Sequence, residues 1–91
     1  MTLRLTVEET YVRGLKSLPP DRRKAANAAL LKFVADPSIP GLKFRPLRGR
    51  PNHFIINPTR GDRVILRRDG DDLYAAIDVG PHDNVYRRWD R

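Results

Sequence analysis

Histidine beside a carboxylate, with a phenol and guanidinium groups close by, is equipment for acid-base chemistry or for anion binding. The stretch VGPHDNVYRRWDR carries that set, with His82, Asp83, Tyr86, Arg87, Arg88 and Trp89 following a Gly80-Pro81 break. The same residue types also make up ordinary solvated tails, so the question is which elements would aim them at a common point. A second set of cations lies upstream, with Lys43, Arg45 and Arg48 in one segment and Arg63 and Arg67 in another.

Other chemistries lack their residues. There is no cysteine, which removes disulfides and thiolate catalysis. His53 and His82 have no metal-ligand spacing, no glycine-rich phosphate loop follows the first apolar segment, and Ser17 and Ser38 sit in turn-like sequence. No metal and no cofactor is expected. At 91 residues the chain can bury one core, so a single domain spanning 1–91 is expected. Its 18 Lys and Arg against 11 Asp and Glu give a net charge of +7. Such an excess draws a polyanion, with nucleic acid first and an acidic protein second, and the attraction weakens as salt rises. No stretch approaches a membrane span, so no membrane partner is expected. MTLRLTVEET lacks the zones of a signal peptide, which makes the cytoplasm the expected location.

The elements that would position these side chains follow from periodicity. Leu3, Leu5 and Val7 alternate with polar residues as in a strand, and Thr6 to Glu9 has the spacing of a capping box opening a helix with Tyr11, Leu15 and Leu18 on one side. Pro19-Pro20 ends that helix and opens a second, in which Ala26, Ala29, Leu30, Phe33 and Val34 form an apolar stripe until Asp36-Pro37 stops it. PSIPGLKFRPLRGRPN reads as an irregular connection on a backbone stiffened by proline. Three strand-like runs follow, HFIIN, DRVILRR and DLYAAIDV, the last two joined by the hairpin signal Asp69-Gly70-Asp71.

Strand parity then sorts the charges. Val64 and Leu66 are expected against the helix hairpin, which sends Arg63, Ile65 and Arg67 to the other face. In the last strand Leu73, Ala75, Ile77 and Val79 form the expected apolar face, and Tyr74, Ala76 and Asp78 look outward. An extended continuation gives His82 the parity of Arg63 and Arg67. The expected fold class is α+β: an N-terminal strand, a two-helix hairpin, then a three-stranded antiparallel sheet with helices packed on one face. The opposite face is expected to be open and basic.

This order, carried by LPPDRRKAANAALLKFVADP, PGLKFRPLRG, GDRVILRRDGDDLYAAIDVG and HDNVYRR, resembles the RelE/ParE superfamily of type II toxin-antitoxin toxins over nearly the whole chain. The most specific pieces are the Gly-x-Arg-hydrophobic strand from Gly61 to Ile65 and the Val-Gly-x-His-Asp-x-Val-Tyr-Arg close from Val79 to Arg87. The resemblance implies a cognate antitoxin protein as partner. In the RelE branch it implies a ribonuclease that cuts mRNA on the ribosome, and in the ParE branch an inhibitor of DNA gyrase. A non-enzymatic module binding nucleic acid or protein is the remaining alternative.

Cleavage by the neighbouring 2'-hydroxyl needs a base for its proton, cations for the pentavalent phosphorane and an acid for the leaving 5'-oxygen, but no metal. Histidine, with an ordinary pKa of roughly 6.5, suits proton transfer, and arginine suits a phosphate because its planar fork donates two hydrogen bonds and stays charged. The resemblance makes Arg63 the transition-state clamp, His82 the acid-base residue and Tyr86 a residue that stacks on a base or orients the phosphate. Lys43, Arg45, Arg48, His53, Arg67 and Arg87 are the expected RNA-binding residues. The strand before Arg63 carries His53, Phe54, Ile55, Ile56 and Asn57 where RelE-type enzymes often carry lysines, so His53 or the loop cations would have to replace them.

Overall fold

In a computed structural model of the chain, which describes residues 2–89, the periodic runs become the elements they suggest, with two additions and one change of parity. The chain runs β1 (Arg4–Val7), α1 (Glu9–Lys16), α2 (Pro20–Ala35), a 3-10 turn (Pro40–Leu42), β2 (Arg45–Pro46), β3 (His53–Ile56), β4 (Asp62–Arg68), β5 (Leu73–Pro81) and α3 (His82–Trp89). The strands form one five-stranded sheet in the order β1-β5-β4-β3-β2. β1 runs parallel to β5, while the β2-β3, β3-β4 and β4-β5 pairs are antiparallel. The additions are the short edge strand β2, inside what reads as loop, and the helix α3, inside what reads as tail. Among the described residues no helix is long and apolar enough to cross a membrane.

α2 carries the larger core. Pro20 occupies its first turn, where a missing amide costs nothing, and the Ala26, Ala29, Leu30 and Phe33 stripe is buried. Phe33 is fully buried, with its ring 5.0 Å from Tyr74 edge-to-face and 5.1 Å from Phe44. Burial of one such ring contributes about 1.5–3 kcal/mol. α1 lies on β5 instead of starting from a capping box. Thr6 belongs to β1, the cap position is Glu8, and no side chain caps the amides. What fixes α1 is its contact with β5, where the Thr10 hydroxyl donates to the Ile77 carbonyl. Gly14 lets the helix approach so closely that a Cβ there would run into the Val79 carbonyl oxygen.

The second face of the sheet is not open. Leu47, Ile55, Ile65, Ala75, Ile77 and Val85 form a smaller buried cluster on that side, with Tyr86 and Trp89 of α3 packed against it. One feature overturns the parity expected for β5. A bulge between Ile65 and Leu66 pairs Ile65 with Asp78 and Leu66 with Ala76, which leaves Ile77 as the extra residue. Tyr74, Ala76 and Val79 therefore join the core beneath the two-helix hairpin, while Ala75 and Ile77 join the cluster under α3. Asp78 is then buried beside α3, and its carboxylate accepts hydrogen bonds from the Val79 amide (2.9 Å), Arg88 Nε (2.8 Å) and Trp89 Nε1 (2.7 Å). At the far end of α3, Arg50 donates to the Trp89 carbonyl (2.8 Å) and lies over its ring, 4.9 Å from the centroid. These polar clamps hold an eight-residue helix that is too short to be stable alone.

Candidate functional site

α3 begins where β5 ends, and that junction decides where the His-Asp-x-x-Tyr residues point. The His82 amide donates to the Gly61 carbonyl (2.8 Å), so the first turn of α3 is tied to the turn that precedes β4. His82 and Tyr86 are one helical turn apart, with rings edge-to-face at 4.6 Å. His82 Nδ1 meets the Asp83 carboxylate at 2.8 Å. A carboxylate only accepts, so Nδ1 carries the proton and the lone pair of the neutral ring is on Nε2.

From Tyr86 the contacts continue onto the sheet. Arg45 of β2 donates through Nη2 to the Tyr86 hydroxyl (3.2 Å) and through Nη1 to the Lys43 carbonyl (2.5 Å) and Asn57 Oδ1 (3.1 Å). Arg45 reaches α3 because it pairs with Ile55, whose side chain lies on the α3 face. Lys43 sits in the left-handed region at φ 53°, a conformation that a lysine holds only when its surroundings impose it. Here the Arg45 contact to its carbonyl and the bond from the Asn57 amide to the Leu42 carbonyl (2.8 Å) impose it.

Arg63 stands on the α3 face of β4, opposite Gly80. Its Nη1 is directed at the carbonyls of Asp62 (2.7 Å), Arg60 (3.0 Å) and Thr59 (3.5 Å), and its Nε is buried without a hydrogen-bond partner. Arg63, Arg60, Lys43 and Asn57 line a cleft of about 340 Å³. Asn57 thus joins two groups, the Arg63 cleft on one side and the Arg45-Tyr86-His82 chain on the other. A second cleft of about 330 Å³ on the same face is lined by Arg45, Arg48, Ile55 and Tyr86. The candidate site is this run of cations and hydrogen-bonding side chains, suited to an extended anion with more than one phosphate.

Of the residues singled out in the sequence, the structure brings together Lys43, Arg45, Arg48, Arg63, His82 and Tyr86. It does not bring in His53, Arg67 or Arg87. His53 pairs with Arg67 at the opposite end of the β3-β4 ladder from Arg63; its Nδ1 meets the Pro51 carbonyl (2.8 Å) and its ring faces Trp89 at 5.9 Å. Arg67 donates to Asp69 through Nε (2.6 Å) and to Glu8 through Nη2 (2.6 Å), and these carboxylates hold its pKa well above the ordinary arginine value. Arg87 is exposed on α3 and makes no ion pair among the described residues.

Asn57 and Arg60 were not singled out from the sequence. A signal for Asn57 exists, because it has the parity of Ile55 and follows the strand that faces Arg63, whereas nothing local marks Arg60. Also unanticipated is Asp62, fully buried beside Arg63 and held bidentately by Arg22 of α2 through Nε (2.9 Å) and Nη2 (2.5 Å). The Arg22 contact keeps its carboxyl below the usual aspartate range against the opposing cost of burial. Among the described residues no group of three His, Asp or Glu side chains is placed to hold a metal ion.

No protein-family model matches the sequence, and no curated protein matches it either. Solved structures do match. A double mutant of the E. coli toxin RelE in the free state is similar with a TM-score of 0.72 at 22% identity, over 98% of this chain and 95% of that one. The toxin-antitoxin complex RelBE2 from Mycobacterium tuberculosis gives 0.72 at 20% identity, over 90% of this chain and 100% of that one. A YoeB/ParE toxin from Agrobacterium tumefaciens gives 0.70 at 14% identity, over 88% and 99%. Likenesses that cover nearly the full length of both partners give this chain the fold of the RelE/ParE toxins.

Proposed function

We propose that the protein is the toxin of a type II toxin-antitoxin module and acts as a metal-independent, ribosome-dependent mRNA endoribonuclease. The observation that carries this reading is the convergence on one face of His82, Tyr86 and Arg45 with the Arg63 cleft, joined through Asn57. The cations that 2'-hydroxyl attack needs are present there, together with one of its two proton-transfer groups, His82.

In this reading Arg63 binds the scissile phosphate. Its Nη1 is fixed by backbone carbonyls, which leaves Nη2 to donate to a non-bridging oxygen as charge builds in the phosphorane. His82 Nε2 is the atom that exchanges a proton with the RNA, oriented by Asp83 at Nδ1 and by the Tyr86 ring. Tyr86, turned by Arg45, orients the phosphate or stacks on a base. Lys43, Arg45 and Arg48 hold the flanking backbone, and the net charge of +7 draws the protein to ribosomal RNA. The cognate antitoxin is the expected protein partner; similar chains are described as RelBE2 and archaeal RelE-RelB complexes. The site of action would be the cytoplasm.

The test is a translating extract given the purified protein. The expected result is mRNA cut at codon-related positions with 2',3'-cyclic phosphate ends, lowered steeply by Arg63→Ala and by His82→Ala. Intact mRNA together with inhibited DNA supercoiling would overturn the reading in favour of a gyrase inhibitor.

A further inference from the structure

The direction of the Arg63 guanidinium is set from outside the site. Arg63 Nη1 is held by carbonyls of the 59–62 turn. That turn is closed by Thr59, whose hydroxyl donates to Asp62 Oδ2 (3.2 Å) and accepts from the Asp62 amide (3.1 Å). Asp62 is in turn gripped bidentately by Arg22, 40 residues earlier and on α2. An ordinary surface turn does not need a fully buried carboxylate, and a buried carboxylate is kept only with a partner that satisfies it.

We propose that Arg22 is a positioning residue: acting through Asp62 and Thr59, it fixes the turn carbonyls that hold the Arg63 guanidinium at the cleft it lines with Lys43, Arg60 and Asn57. The geometry requires a guanidinium at residue 22, because two of its nitrogens engage the two carboxylate oxygens in one plane, which an ammonium cannot do. The helix hairpin thereby acts on the site from the opposite side of the sheet without touching substrate.

The part played by Arg63 in cleavage is the reading given above, so two readouts are needed, one of them independent of activity. The first is the side-chain NMR signal of Arg63 Nε-H in full-length protein labelled at arginine nitrogen. In Arg22→Met, and in Thr59→Val, which leaves the buried pair intact and serves where Arg22→Met does not fold, this signal should shift and broaden while the Ile77 and Val85 methyl signals stay in place. An unchanged Arg63 signal in a folded variant overturns the proposal. The second readout is single-turnover mRNA cleavage. Either variant should lower kcat by roughly 10- to 100-fold with KM little changed, the scale expected when a clamp is displaced by about an ångström. Arg22→Lys should recover only part of that loss. In an Arg63→Ala background the Arg22 and Thr59 changes should have no further effect, whereas the same loss in both backgrounds would assign them a merely structural role. Wild-type protein that cleaves no mRNA would sink the ribonuclease reading, and the NMR result would still decide whether Arg22 positions Arg63.

Discussion

Arg63 and Arg67 lie near the two ends of one strand, on the same face, and differ in everything except residue type. Arg67 is neutralised by two carboxylates, one of them from Glu8, 59 residues away in sequence. Among the described residues Arg63 donates only to backbone carbonyls, with no carboxylate in hydrogen-bond contact, and its Nε is buried without a partner. A cation that has already found its anions is part of the scaffold, and one that has found only dipoles is poised for an anion that arrives. Density of positive charge therefore identifies a site less well than unfinished hydrogen bonding does.

The sharpest way to break this comparison is to remove each arginine in turn. Arg63→Ala should lower mRNA cleavage by roughly 10²- to 10³-fold, the usual loss for one preorganised donor to a developing oxyanion. Arg67→Ala should leave the rate unchanged and act only on stability. Equal losses from the two, measured by primer extension in a translating extract, would end the distinction. A milder probe is Tyr86→Phe, which keeps the edge-to-face contact with His82 but removes the oxygen that Arg45 donates to. Loss of one hydrogen bond to a charged group should lower cleavage by roughly tenfold. A Tyr86→Phe variant that cleaved as the unaltered chain does would confine Tyr86 to packing.

The difference between the arginines was only partly legible in the sequence. Period and turn chemistry marked the strand, the two helices and the three later strands, because Pro19-Pro20, Asp36-Pro37 and Asp69-Gly70 interrupt apolar runs of distinct period. Parity also placed Arg63 away from the helix hairpin. It then failed in β5, since a bulge shifts register without any residue that announces it, and with it went the expectation of an open face. α3 was hidden because HDNVYRRW is short and polar, and it is held by contacts with Asp78 and Arg50 that only the fold creates. The Glu8 contact that closes Arg67 and the Arg22 contact that holds Asp62 are likewise long-range. Residue types thus suggested Arg63, His82 and Tyr86, but not which of the remaining cations are already spent.

Acid titration of stability sharpens the comparison, because a carboxylate with a lowered pKa sits at each end of β4. The Arg22 contact lowers Asp62, and the Arg67 contact lowers Asp69. A depressed folded-state pKa gives stability that is fully present above the unfolded value of roughly 3.9 and is lost as pH falls through the folded value. Unfolding monitored from pH 6 downward should therefore show a steep acid limb, with the larger share from the buried Asp62 because solvent screens the exposed Asp69 pair. Asp62→Asn should flatten that limb more than Asp69→Asn, since Asp62 is fully buried and Asp69 is exposed. The reverse order would mean that the closed arginine, not the open one, is the more deeply anchored.

The smallest expected effect comes from turning Arg67 into a second open arginine. Glu8→Gln together with Asp69→Asn removes both of its carboxylates and leaves the strand itself untouched. Each exposed pair lost should cost only about 0.2–1 kcal/mol, so the double variant remains folded. Its freed guanidinium should add one phosphate contact to single-stranded RNA. The slope of log affinity against log salt should then steepen by about 0.7, the increment for one neutralised phosphate on a single strand. Cleavage should not rise with it, because Arg67 lies at the far end of the strand from His82 and lacks the turn carbonyls that aim Arg63. Binding by fluorescence anisotropy across a salt series, with cleavage measured in parallel, separates the two quantities. A variant that bound RNA more tightly and also cut it faster would show that added charge suffices for activity, and that the fixed direction of Arg63 does not matter.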